Sequence, residues 1–186
     1  GDVYKRQGSG GRPLVALIGM GLPQPSQTAT DEALVRRALA LLVDDAGDDA
    51  RPADCQADVP VAALVVDPQG KVVAEAINRR EADGDPTAHA EVLALRAAAK
   101  VVRDGWRLEG CTLVVTLEPC AMCAGAAVGA RVQRIVFGAW EPKTGGCGSL
   151  MDIPRAPGAA FVPEVVGGVW EGPCAAVLER FFRAKR

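Results

Sequence analysis

Two segments of strand length flank the tetrapeptide Asp67-Pro68-Gln69-Gly70. Val59 to Val66 is a nearly unbroken apolar run, and Lys71 to Ile77 is the return. Proline presets φ at one corner of such a turn and glycine supplies positive φ or closes it, so the unit is a hairpin. Beyond the hairpin, helices and strands alternate. Ala88 to Val102 reads as a helix rich in Ala and Leu, ending near Asp104-Gly105. Thr112 to Thr116 reads as a strand, Met122 to Arg131 as a short helix and Arg134 to Phe137 as another strand. Residues 139–160 form a Gly- and Pro-rich loop, Val162 to Val166 supply a fifth strand, and Pro173 opens a last helix. Strands first and alternation afterwards predict a layered α/β sheet domain.

Upstream of the hairpin, Thr30 is placed to cap a helix with apolar positions at Leu34, Val35, Ala38, Leu41 and Leu42. Residues 44–58 carry six aspartates against one arginine, with Gly47 and Pro52, and read as a solvated acidic loop without chemistry. Residues 1–29 are rich in Gly, Pro, Gln and Ser and show no period. They are read as a disordered tail, a fragment end or a cloning remnant, and residues 30–186 as a single domain. Asn78 to Thr87 is polar and irregular.

The 186 residues suffice for one compact core without disulfide staples. Lys and Arg number 21 and Asp and Glu 23, a formal charge of −2, which excludes a uniformly basic coat but not a local basic patch. No apolar run reaches the roughly 18 residues of a membrane span, so no membrane association is expected.

The chemistry concentrates in two short segments. Thr87-Ala88-His89-Ala90-Glu91 opens one helix, and Glu118-Pro119-Cys120-Ala121-Met122-Cys123 ends a strand and opens the next helix. Cysteines three apart on a first helical turn point their thiols to one side, where the helix N-terminus favours the thiolate that binds zinc. His89 is the chain's one histidine, so His89, Cys120 and Cys123 make three ligands. A structural zinc site is normally closed by four protein ligands, whereas a catalytic one keeps a position open for water. Glu91, two residues after His89, is placed to move protons between that water, a ring nitrogen and a leaving amine. Singly, each element has a plainer reading: a His near a Glu is often a surface or core group, and a lone C-x-x-C can be a redox pair. The joint pattern H-x-E…P-C-x-x-C is the signature of zinc base deaminases. Gly138 to Thr144 only superficially resembles a phosphate loop, because Pro142 stands where its second glycine belongs.

From about Ala33 onward the sequence resembles the bacterial tRNA-specific adenosine deaminases of the cytidine deaminase-like superfamily. The resemblance rests on Asn78-Arg79, on Asp85 to Glu91, on Ala94-Leu95-Arg96 and on Val115 to Ala126. It continues through Val136 to Ala139, Lys143-Thr144-Gly145, Gly148 to Asp152 and the ending Phe181-Phe182-Arg183. It implies a three-layer α/β/α fold with a mixed five-stranded sheet flanked by helices. It also implies zinc-dependent hydrolysis of the wobble adenosine, position 34 of a tRNA anticodon, to inosine, with one zinc per subunit. The enzyme would be a cytoplasmic homodimer acting on an anticodon stem-loop, an arginine tRNA being the expected substrate. Carried over by position, His89, Cys120 and Cys123 hold zinc, Glu91 shuttles protons, and Asn78, Ala88 and Arg183 contact substrate. The Ala121 to Ala130 helix, nearly all small residues, is the expected dimer surface.

Three features depart from the family pattern: a longer acidic loop, Ala62 where glycine is usual, and Trp140-Glu141-Pro142 with Glu141 in place of aspartate. Two rival functions share the motif: a deaminase of free guanine or cytosine bases or nucleosides, and a non-catalytic RNA-binding paralogue. The second should have lost a ligand or the glutamate, and all four residues are present. In the last helix Arg180, Arg183, Lys185 and Arg186 face one acid, Glu179, and are expected to form a cationic foot for tRNA, with the two phenylalanines anchoring the helix to the core.

Overall fold

The computed structural model describes residues 27–44, 46–102 and 104–185. The segment read as a tail therefore lies almost entirely outside the described residues. Five strands form one sheet: β1 (Ala62–Val66), β2 (Val72–Ile77), β3 (Thr112–Leu117), β4 (Arg134–Ala139) and β5 (Glu164–Val166). Their spatial order is β2-β1-β3-β4-β5. β1 pairs antiparallel with β2 and β3, while β3–β4 and β4–β5 are parallel, so the sheet is mixed as expected. The hairpin turn closes with Gly70 at φ +81°, and one Asp67 carboxylate oxygen accepts the N–H groups of Gln69 and Lys71 at 3.0 and 2.9 Å.

Every residue of β1 is buried, which explains its unbroken apolar run: both faces are covered. On one face Ala62, Leu64, Val66, Val114 and Val136 pack against α1 (Gln27–Leu39) and α5 (Glu171–Ala184), through Val35, Ala38, Cys174 and Val177. On the other, Ala63, Val65, Val115, Ile135 and Phe137 pack against α3 (Ala90–Val102) and α4 (Ala121–Gly129), through Ala94, Leu95, Ala124 and Ala127. The three layers are thus α1/α5, sheet and α3/α4. All six cysteines are free.

Three local expectations are corrected. The first helix is already formed at Gln27, so Thr30 lies within it and does not cap it. A one-turn helix, α2 (Arg80–Asp83), occupies the stretch read as irregular; four residues are too few to show a period. The acidic loop is not simply solvated, since Arg51, Cys55 and Asp58 are buried in it and Ala53–Cys55 form a 3₁₀ turn. Aspartate composition signals exposure only on average, and here one carboxylate and the one arginine bury by bonding backbone.

Candidate functional site

The parallel strands β3 and β4 set the site, which opens beyond the C-terminal end of β3. β3 ends at Leu117, and Glu118-Pro119 carry the chain to Cys120, the extended N-cap of α4 at φ −68°, ψ 172°. Cys123 lies on the first turn, fully buried. His89 precedes α3, whose N-terminus lies beside that of α4. Its Nδ1 stands 3.7 Å from the Cys120 Sγ and 3.5 Å from the Cys123 Sγ. The three ligand atoms lie within 4.8 Å of one another. Tetrahedral coordination at ordinary Zn–N and Zn–S lengths puts nitrogen and sulfur roughly 3.6 Å apart, so the triad fits zinc as it stands.

The electrostatics suit a metal. The Cys120 thiol is held at about 4 by the hydrogen bond from Cys123, with His89 adding to the effect. Cys123, the donor of that bond and deeply buried, is pushed up. The pair thus favours a thiolate at Cys120, and binding of a metal cation would displace the Cys123 proton to solvent. Glu91 is 4% exposed, and burial pushes its carboxyl up, toward the range in which a carboxylate can both take and return a proton.

A cavity of about 180 Å³ opens over the triad. Asn78, Arg80, His89, Glu91, Cys120 and Phe182 are among its walls. Asn78 Nδ2 donates to the Val59 carbonyl at 3.1 Å. A carbonyl only accepts, so the amide oxygen must face the other way, and Asn78 Oδ1 is buried without a partner. Ala88 is buried but is not part of the cavity wall; its N–H donates to the Asp85 carbonyl and its own carbonyl accepts from the Arg79 N–H. Arg183 is exposed and lines an adjoining groove with Trp140 and Phe182.

The last helix differs from expectation in two ways. Phe182 is 50% exposed and forms a cavity wall, so it does not anchor the helix in the core. Arg180 and Lys185 reach back to the acidic loop, donating to the carbonyls of Gly47 and Ala57. Arg186 lies outside the described residues.

Glu118 was given no role by its place in the motif. It is 2% exposed and accepts from the N–H groups of Glu141, Cys147 and Ser149, each at 3.0 Å, and from the Ser149 hydroxyl. Burial pushes its carboxyl up, and these bonds together outweigh that and hold it below the usual range. The loop after β4 is thereby pinned to the turn that carries Cys120, a join completed by the Gly146 N–H on the Pro119 carbonyl at 2.7 Å. Gly145 is required there: a Cβ would collide with the Glu118 carboxylate. The only sequence signal for this role was the position of Glu118 next to Pro119.

The profile of the cytidine and deoxycytidylate deaminase zinc-binding region matches residues 33–139. The tRNA-specific adenosine deaminase of Bacillus subtilis is 44% identical over 146 residues, covering 78% of this chain and 89% of that protein. The tRNA-specific adenosine deaminase of Haemophilus influenzae is 40% identical over 156 residues, 84% of this chain and 85% of its own length. A structure from a study of A-to-I editing by tRNA:A34 deaminases at the wobble position superimposes with a TM-score of 0.67 at 36% identity, over 77% of this chain and 99% of that one. Each relative carries the likeness through most of its own length, and the chain belongs to the tRNA-specific adenosine deaminase family of zinc-binding deaminases.

Proposed function

We propose that this chain hydrolyses the wobble adenosine of a tRNA anticodon to inosine. The observation that carries this reading is one cavity lined by His89 and Cys120 of the triad, by the buried Glu91 and by Asn78, whose amide oxygen has no partner. Zinc held by the triad supplies a Lewis acid that makes water a nucleophile near neutral pH. Glu91 takes one proton from water as its oxygen adds to C6 of the adenine, and delivers it to the ring nitrogen N1. It then passes the second water proton to the departing amine; the C6–N bond breaks, ammonia leaves and a C6 carbonyl remains. A carboxyl pushed up by burial suits both transfers better than an exposed one would. Asn78 Oδ1, an acceptor in the wall, orients the flipped nucleotide by taking a hydrogen bond from it.

Arg183 and Arg80 are the cations we assign to the RNA backbone: both are exposed, one beside the cavity and one in its wall. The homodimer is assigned to α4, where Met122, Gly125 and Gly129 are exposed and the small residues allow a second copy's helix to approach closely. A cytoplasmic location and an arginine tRNA substrate complete the reading. No helix of the described residues is long and apolar enough to cross a membrane.

The test is incubation of the zinc-loaded protein with total tRNA, followed by inosine mapping. Inosine at position 34 is expected. Untouched tRNA together with turnover of free guanine or cytosine nucleosides would replace this reading with that of a free-base deaminase.

A further inference from the structure

Arg51 is the one cation of the acidic segment, and its side chain is 3% exposed. A guanidinium that buried must be satisfied on all sides. Its Nε and Nη2 meet the two oxygens of Asp49 at 2.9 and 2.7 Å, and its Nη1 donates to the carbonyls of Cys55 and Asp58 at 3.0 and 2.6 Å. The Phe181 ring of α5 lies 5.6 Å from its Cζ. Three points of the segment are thus gathered onto one side chain.

The third of those points is next to the cavity. The carbonyl of Asp58 belongs to the peptide that joins it to Val59, so gripping it fixes both residues. The Asp58 carboxylate, fully buried, accepts the N–H groups of Glu81 and Ala82 at 2.7 and 3.2 Å and so holds α2, which begins with Arg80. The Val59 carbonyl takes Asn78 Nδ2, which leaves Asn78 Oδ1 free. Apart from the triad, Glu91, Glu118 and the loop after β4, the polar cavity groups are Asn78 and Arg80, both contributed by the segment that runs from β2 into α2.

We infer that Arg51 is a positioning residue for substrate binding. It contacts neither Asn78 nor Arg80 and sets both through the Asp58–Val59 peptide. The acidic segment is, in this view, the back wall of the substrate cavity. The inference rests on the reading of that cavity as the deaminase site.

Lysine at position 51 keeps the charge but cannot hold a bidentate carboxylate and two carbonyls at once. Kinetics on an anticodon stem-loop should show Arg51→Lys raising KM by about tenfold while kcat falls less than about threefold, because uniform binding and not the chemical step is lost. Zinc content stays at the wild-type value, since the triad is carried by α3 and α4. Hydrogen exchange supplies a readout free of activity: the amides of Glu81 and Ala82 should exchange faster in Arg51→Lys, with α3 and α4 unchanged. Asp49→Asn, a nearly isosteric change at a side chain 41% exposed, should shift KM and exchange in the same direction by smaller factors. It decides the matter if Arg51→Lys does not fold. Unchanged KM and unchanged exchange at residues 81 and 82 overturn the inference, as does activity that falls only in proportion to the folded fraction. An inactive wild type instead overturns the functional reading, and the exchange arm then still tests the positioning.

Discussion

The Glu118 carboxylate accepts the backbone N–H of Cys147 at 3.0 Å, a contact that bridges 29 residues and joins the metal-binding turn to the loop after β4. Three more donors, from Glu141 and Ser149, converge on the same two oxygens. Glutamine has the shape of glutamate but presents an NH₂ group to donors. Glu118→Gln should therefore destabilise the fold by about 1–3 kcal/mol, the cost of leaving a buried donor unmade. Urea unfolding at neutral pH measures it, and a midpoint equal to wild type would show that the loop holds itself.

The proposed function gives Glu91 a different task, and its replacement should separate chemistry from structure. The wild type should carry one zinc per chain and lose activity on chelation, regaining it with added zinc. Glu91→Gln should keep the metal and the fold while single-turnover deamination drops at least ~10²–10⁴-fold, the range of general acid–base catalysis. A mutant that retained a third of the wild-type rate would remove Glu91 from the mechanism.

Phe182 is exposed yet forms part of the cavity wall beside Glu91 and Asn78. Under the proposed function its ring would stack on a base, an interaction worth about 1–3 kcal/mol per base in single-stranded recognition. Phe182→Ala should raise KM for an anticodon stem-loop at least about fivefold, the equivalent of the lower bound. The melting temperature should barely move, because little buried area is lost. A large fall in melting temperature with KM unchanged would return Phe182 to the role of an anchor.

The Asp49–Arg51 pair predicts a pH dependence. The hydrogen bond from Arg51 holds the Asp49 carboxyl below the usual carboxylate range, against a smaller upward push from partial burial. A carboxyl with a lower pKa folded than unfolded contributes stability above its unfolded value of about 3.9 and loses it as pH falls through the folded value. Wild type should therefore be more stable than Asp49→Asn at about pH 6, and the gap should be smaller at about pH 3. Urea midpoints of both proteins at the two pH values check this, and a gap independent of pH refutes it.

The strands and the cysteine pair were legible in the sequence for the same reason: each is a local pattern, to which the joint motif added His89. Strand β1 showed as an apolar run because its faces are both covered, and Cys120 and Cys123 showed as a pair because one helical turn brings them together. Glu118 and Asp58 were not legible, since their partners lie at least 23 residues away and, the Ser149 hydroxyl apart, are backbone N–H groups, which every residue but proline has. Phe182 was misplaced because apolar character predicts burial and gives no warning of a ring left on a cavity wall. The acidic segment was misread through its composition, which records six aspartates and not which of them finds donors.

Arg180 and Lys185 hold carbonyl oxygens of the acidic segment, those of Gly47 and Ala57. Carbonyls orient a cation without neutralising it. The side-chain freedom of these two long residues, worth up to about 2 kcal/mol each, is thus already surrendered in the folded protein. A polyanion that arrives at the end of α5 meets positive charge that is already immobilised, and has little further ordering of these two groups to offset.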